Sequence, residues 1–367
     1  MSWRIRLLSA SVHYAGGMQL HTALSGPISA LDELYLLIED GSTVIALGEI
    51  RENVEYLSGL PAQQVRKLLL NALDPVAWNE LLEGNFTSFE DARDTLPPLP
   101  RALLDCTLRD MGARTCSLPL AEHVGGRSVD AVETNQCLQL TGPKPLVETA
   151  QDYVERGFRQ LKLRVGGGPF DNDLNRLRAL RRHFGGDIEL AIDANGQWPS
   201  EQAMRYLPQL EPFDLSYIEQ PVPIDDWGGL RRVIDLSPAP VMLDEMATGL
   251  DAVRGIISSE LNIWLHLKIP KMGGITPLLE AASLLTEKAI PFMIGQMNEG
   301  GAATAAAIHC VMAARPRFAE LYGADGLMDD PISGVLYGHG TVGVPDIPGL
   351  GVTFDPGKCT CLWEKQL

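Results

Sequence analysis

The chain is short of positive charge: 30 lysines and arginines stand against 47 aspartates and glutamates, a formal net charge of −17. This balance argues against a nucleic-acid surface or an anionic-membrane partner, both of which need clustered cations. It leaves room for a local cation site, because gathered carboxylates bind a metal that in turn attracts an anionic substrate. No apolar run reaches membrane-spanning length, and the N-terminal MSWRIRLLSASVHYAGG lacks the apolar core of a signal peptide, so a cytoplasmic protein is expected. Clustered cysteines are also missing. Of the six, only Cys359 and Cys361 lie close together, without the further ligands a metal site requires, and reduced thiols are expected. The run Gly166-Gly167-Gly168 lacks the G-x-G-x-x-G register of a dinucleotide fold.

What is present is ample apolar material, 45% of 367 residues, enough for a barrel and one smaller domain. In the first third, residues 35 to 50 read as two strands joined at Asp40-Gly41, a hairpin signal. Apolar residues then recur every three or four positions from about Pro61 to Leu82 and from Pro100 to Arg114, which predicts helices. From about residue 130 short apolar runs alternate with amphipathic stretches: VETNQCL, RQLKLRV, IELAID, LSYIEQ, PVMLDE, NIWLHLK, PFMIG and AELYG. Eight such alternations predict an α/β fold, a modified (β/α)8 (TIM-like) barrel with an N-terminal α+β capping domain. The expected division is a cap over 1–127, a catalytic barrel over 128–325 and a C-terminal segment, 326–367, that packs back on the cap. The last alternation is the weakest.

Barrel enzymes place their chemistry at the C-terminal ends of the strands. Asp193, Glu219 and Asp244 each close a run, 26 and 25 residues apart, the length of one strand-helix repeat. A single such acid reads as a helix cap. Three in register form a self-repelling cluster that a hard cation relieves, Mg2+ or alternatively Mn2+. Lys162 and Lys268 occupy the matching places on the preceding and following runs. An amine beside a metal and other cations should have a lowered pKa and serve as a base.

The strings LKLRVG, AIDANGQW, YIEQPV, MLDE, LKIPKMGG and GQMNEGG closely resemble, in order and spacing, the barrel motifs of the enolase superfamily, in its muconate lactonizing enzyme branch. The resemblance extends to Glu49 in GEI, to LLDCTLRDMGARTCSLPLAEHVGG and to PDIPGLGV. It implies that Asp193, Glu219 and Asp244 are magnesium ligands, that Asn195 supports the first of them, that Lys268 is an acid/base, and that Glu299 lines the site. It also implies abstraction of the proton alpha to the carboxylate of a small substrate, through an enediolate, and a homo-oligomer.

The branch pattern is Lys-x-Lys on the second strand, whereas this chain has Lys162-Leu163-Arg164. Arginine is a poor base. Arg164 is expected to bind or stabilise negative charge alongside Lys162. With one convincing base, the expectation is single-base dehydration of a hydroxy acid or hydroxylated amino acid such as a hydroxyproline, or cycloisomerisation. The alternatives are a racemase or epimerase of an amino-acid derivative or dipeptide, and an inactive metal-binding homologue. A specificity loop is expected from His13 to Pro27, with Gly16 and Gly17 as pivots and His13, Tyr14 and His21 as candidates for substrate contact. Thr134, Asn135, Gln296, Asn298 and Tyr322 are further candidates. His266, two before Lys268, is expected to be a buried, hydrogen-bonded residue.

Overall fold

The computed structural model describes residues 3–17, 20–22 and 26–367. Strands Trp3–Val12, Leu31–Asp40 and Thr43–Arg51 form an antiparallel sheet, with the second and third joined at Gly41 where the sequence places the hairpin. The final strand, Thr360–Gln366, pairs with Trp3–Val12 and completes a four-stranded sheet. Helix Pro98–Thr115 packs on this sheet. The predicted helix from Pro61 to Leu82 is two helices, Ala62–Leu73 and Trp78–Leu82, because Pro75 between them cannot supply a helical N–H.

Eight parallel strands follow in sequential order: Gln136–Leu138, Gln160–Arg164, Glu189–Asp193, Leu215–Glu219, Val241–Leu243, Ile263–Lys268, Phe292–Gly295 and Phe318–Glu320. The expected barrel is therefore present and nearly closed. Between its first and last strands, Asn135 N donates to Ala319 O at 3.1 Å and Leu321 N to Thr134 Oγ1 at 2.8 Å. The VETNQCL run divides, since Val132–Glu133 leaves the barrel to pair with Thr341–Gly343. Strands one to seven are each followed by a helix, but after Glu320 the chain runs into the C-terminal segment. Inside the barrel, Ala191, Tyr217, Met242, Met293 and Phe318 make an apolar plug, each two residues before a rim position (193, 219, 244, 295 and 320), as strand alternation requires. Among the described residues no helix is long and apolar enough to cross a membrane, and the six cysteines are free, three of them buried.

Cap and barrel meet at the N-terminus of helix Gly301–Ala314, whose unpaired N–H groups need acceptors. Glu33 Oε1 takes Gly300 N at 3.1 Å, Asp330 Oδ2 takes Gly301 N at 2.8 Å and Glu49 Oε2 takes Ala303 N at 2.7 Å. A Cβ on residue 300 would lie 2.1 Å from Glu49 Oε1, so this approach requires glycine. Burial, with Asp330 next, holds the Glu49 carboxyl well above its ordinary 4.5, and burial followed by Glu49 does the same for Glu33. A carboxyl with a raised folded-state pKa contributes stability at low pH that is lost as pH climbs from 4.5 through the raised value. Glu49→Gln keeps an acceptor and removes the titration. Its melting temperature should therefore fall less than the wild type's between pH 6 and pH 9 in calorimetry, and parallel curves would contradict this account.

Candidate active site

The charged layer sits directly above the apolar plug. Asp193 and Glu219 are register partners on adjacent strands, and Arg164 pairs with Asp193. Asp244 follows its strand by one residue and Lys268 ends the sixth strand. All are buried. Lys162 Nζ lies 2.9 Å from Glu219 Oε2 and 3.9 Å from Asp193 Oδ2, and it also pairs with Glu320. Lys268 Nζ donates to Asp244 Oδ2 at 2.7 Å, and Lys271 donates to Asp244 and to His266 O. Nδ1 of His266 lies 3.0 Å from Glu219 Oε1, and its Nε2 has no partner.

Burial, then the neighbouring Glu219 charge, raises Asp193 to about 6, and burial with Glu320 and Asp244 raises Glu219 to about 6. Glu245, beside Asp244, is pushed by burial and the Asp244 charge to about 8. Burial works against ionised Asp244 and Glu320 too, yet Lys268 and Lys271 hold Asp244 well below its usual range and Lys162 brings Glu320 to about 2. The expected fall in the Lys268 pKa is not what this arrangement produces. Burial favours the neutral amine, but Asp244, Glu320 and Glu219 together lift it above an ordinary lysine.

Lys268 and Arg164 both line one cavity. Strands six and two lie four apart in an eight-stranded ring, so the two side chains approach from opposite sides. Arg164 Nη1 reaches Asn195 Oδ1 at 3.2 Å while its Nε has no partner, and Tyr322 borders the same space. Asn195 donates to Asp193 Oδ2 at 3.0 Å and to Glu245 Oε1 at 3.1 Å. Gln296 and Asn298 also line the cavity, Gln296 bonded to Thr304 Oγ1 at 2.8 Å.

Several candidates are placed elsewhere. Lys162 lies beneath the acids and does not border the cavity, and Glu299 turns back to take Met297 N at 3.1 Å. Thr134 and Asn135 close the barrel, Asn135 also donating to Glu320 Oε2 at 3.1 Å. Tyr14 donates to Gly323 O and accepts from Asn298 Nδ2 at 2.9 Å. His13 Nδ1 pairs with Asp329 Oδ2 at 2.7 Å on the surface. Leu20–Thr22 and Gly26–Ile28 form a small hairpin in the predicted loop, and the His21 side chain lies outside the described residues.

A model of the enolase C-terminal domain-like family matches residues 145–358. The chain belongs to that family. An L-Ala-D/L-Glu epimerase of Clostridium acetobutylicum is 30% identical over 258 residues, covering 69% of this chain and 71% of the relative. Muconate cycloisomerase 1 of Pseudomonas putida is 27% identical over 306 residues, 82% of this chain and 76% of its own. The crystal structure of a dipeptide epimerase from Cytophaga hutchinsonii, complexed with Mg and D-Ala-L-Val, superposes with a TM-score of 0.86 at 21% identity, over 100% of this chain and 99% of that one. The resemblance to the muconate lactonizing enzyme branch is thus borne out, and the chain is an enolase-superfamily enzyme. Its relatives favour racemisation or epimerisation over the dehydration expected from the sequence.

The donor set fits the family's divalent cation. Oxygens of Glu219 and Asp244 and a ring nitrogen of His266 lie within 4.8 Å of one another, and Asp193 Oδ2 stands 3.9 Å from the Lys162 Nζ that binds Glu219, an oxygen-rich cluster of the kind a hard cation takes. Sequence reasoning missed Glu320, Glu245, Lys271 and Arg51. Glu320 was legible, since it ends the eighth strand as Asp193 ends the third, and Glu245 follows Asp244 in MLDE. His266 depends on Gly295, where a Cβ would lie 2.1 Å from Nε2. Gly295→Ala should displace the imidazole from Glu219, cost about 1–3 kcal/mol of stability and weaken Mn2+ binding. Thermal melts and titration calorimetry check this, and unchanged metal affinity would place His266 outside the ligand support.

Proposed function

We propose that the chain is a magnesium-dependent racemase or epimerase acting on a carboxylate substrate of the amino-acid-derivative or dipeptide class. The observation that carries this reading is that Lys268 and Tyr322 border one cavity, with Arg164 across from Lys268 and the strand-end carboxylates beside them. Asp193, Glu219 and Asp244 would hold the cation, with Asn195 orienting Asp193. When bound, the cation supplies positive charge against the substrate's developing dianion and draws on the Asp244 charge that otherwise keeps Lys268 protonated.

Lys268 then takes the α-proton from its face. Arg164 keeps its own proton: burial opposes its charge, but its anionic neighbours Asp193 and Glu320 help to hold it well above the ordinary arginine value. Its free Nε–H therefore fixes the anionic substrate rather than carrying a proton. The transferable proton on that face belongs to Tyr322. Burial raises this phenol well above 10, with Cys137 and Glu320 adding to it, while Arg164 and Lys162 favour the phenolate needed for the reverse direction.

Proton exchange in heavy water with added magnesium, on a panel of N-acyl amino acids and dipeptides, tests the reading. Lys268→Ala should lose at least about 10³-fold in exchange while retaining metal binding. Tyr322→Phe should keep exchange with retained configuration and lose inversion. Chelation should abolish both activities. Dehydration without inversion would instead favour single-base chemistry.

A further inference from the structure

His266 is a side chain of the charged layer that the proposed chemistry leaves without a task. It is wholly buried on the sixth strand, beside Glu219 at the end of the fourth and Asp244 just past the fifth. Three consecutive strands thus gather two carboxylates and an imidazole, with one donor atom of each within 4.8 Å of the other two. Nδ1 stands 3.0 Å from Glu219 Oε1 and 3.7 Å from Asp244 Oδ1. Neighbouring ligands at bond lengths of about 2.1 Å sit about 3.0 Å apart around an octahedral ion and about 3.4 Å apart around a tetrahedral one, so both distances lie close to a coordination edge. Asp193 is not in this group, its two oxygens accepting from Asn195 N at 2.8 Å and Asn195 Nδ2 at 3.0 Å. The imidazole is also held where it is. A Cβ on residue 295 would lie 2.1 Å from Nε2, so the seventh strand admits the ring only by having glycine there, and Nε2 has no hydrogen-bond partner.

We propose that Nδ1 of His266 is a further ligand of the metal centre, beside Glu219 and Asp244, and that this nitrogen turns the centre's preference from Mg2+ toward Mn2+ and Co2+. The proposal rests on the reading given under Proposed function only for the presence of a cation among these side chains. Mg2+ keeps to oxygen donors, whereas an imidazole nitrogen suits first-row transition ions. The ion takes the place of the proton that Nδ1 shares with Glu219, and the neutral ring then carries its single proton on Nε2. Lys268 and Lys271 each bind one oxygen of Asp244, and a second lone pair on each oxygen is left for the ion.

The test titrates the wild type and His266→Asn with Mg2+, Mn2+ and Co2+ by calorimetry, and examines the Mn2+-loaded proteins by pulsed electron paramagnetic resonance. The wild type should show coupling from a directly bound imidazole nitrogen, and His266→Asn should lose it. The ratio of Co2+ to Mg2+ affinity should fall about 10-fold or more in the variant. An imidazole that only orients Glu219 would, when removed, weaken all three ions alike. Equal losses for the three ions, or no nitrogen coupling in the wild type, would therefore overturn the proposal. His266→Gln is a second variant, both are checked by melting temperature, and the wild-type resonance experiment needs neither. Proton exchange on substrate without nitrogen coupling would sink this proposal alone. Nitrogen coupling in a protein that exchanges no substrate proton would sink the proposed function and leave the ligand assignment standing, whereas failure to bind any of the three ions would sink both.

Discussion

The molecule depends on a layer of opposed charges seated on an apolar floor. Asp193, Glu219, Asp244, Glu245 and Glu320 face Lys162, Arg164, Lys268 and Lys271, with neutral His266 between them. Beneath them the Tyr217, Met242 and Phe318 plug excludes water, so each interaction is stronger than it would be at a surface and each unpaired charge costs more. One acid more than the cations is present. Burial, with the like charges of neighbouring acids behind it, raises Asp193 and Glu219 to about 6 and Glu245 to about 8. The same ion pairs set the direction in which Lys268 points.

Much of this was legible in the sequence, for a definable reason. A parallel barrel repeats at nearly constant length, so strand-end acids at regular spacing declare both the fold and the rim on which they meet. Strand alternation likewise placed Lys162, Arg164, His266 and Lys268 inside. Alternation gives the side, however, and not the reach. Lys162 and Arg164 share a face two residues apart, yet Lys162 is drawn down among Glu219 and Glu320 while Arg164 enters the cavity. Glu299, Thr134 and Asn135 have the polarity of site residues, but Glu299 bonds within its own loop and the other two complete the barrel's hydrogen bonding. Those fates are decided by which backbone groups lack partners, a property of the closed barrel that no local pattern encodes. The drop expected in the Lys268 pKa belongs to a lysine beside a bound cation; among the ion pairs alone, burial favours the neutral amine but Asp244 approaches closely enough to lift it.

Arg164 narrows the chemistry more than any other residue. A lysine there could exchange a proton, whereas a guanidinium hemmed in by Asp193, Glu320 and Tyr322 remains a fixed positive charge. Isomerisation at a carbon next to a carboxylate still requires a proton source on that side. The groups around Arg164 at the cavity wall include Asn195, Asp193, Glu320 and Tyr322, and of the neutral ones only the phenol has a proton to give up. Under the proposed function the task of the usual lysine is divided between two residues, charge to Arg164 and proton to Tyr322.

The cap is part of this machinery and not merely a cover. Arg51, at the end of a capping strand, is 1% exposed and donates to Met297 O at 3.0 Å and Asn298 O at 3.2 Å, fixing the loop that carries Gln296 and Asn298 into the cavity. Asn298 holds a left-handed backbone, φ 60°, a conformation asparagine tolerates, and from it meets Tyr14 of the N-terminal segment. Glu33 and Glu49 bind the start of the helix that follows the same loop. Cap strands, N-terminal segment and seventh-strand loop thus converge on residues 296–303, so a displacement of the cap would be felt first by the cavity wall. Since Leu57 of the cap borders the same cavity, its wall is shared between barrel and cap.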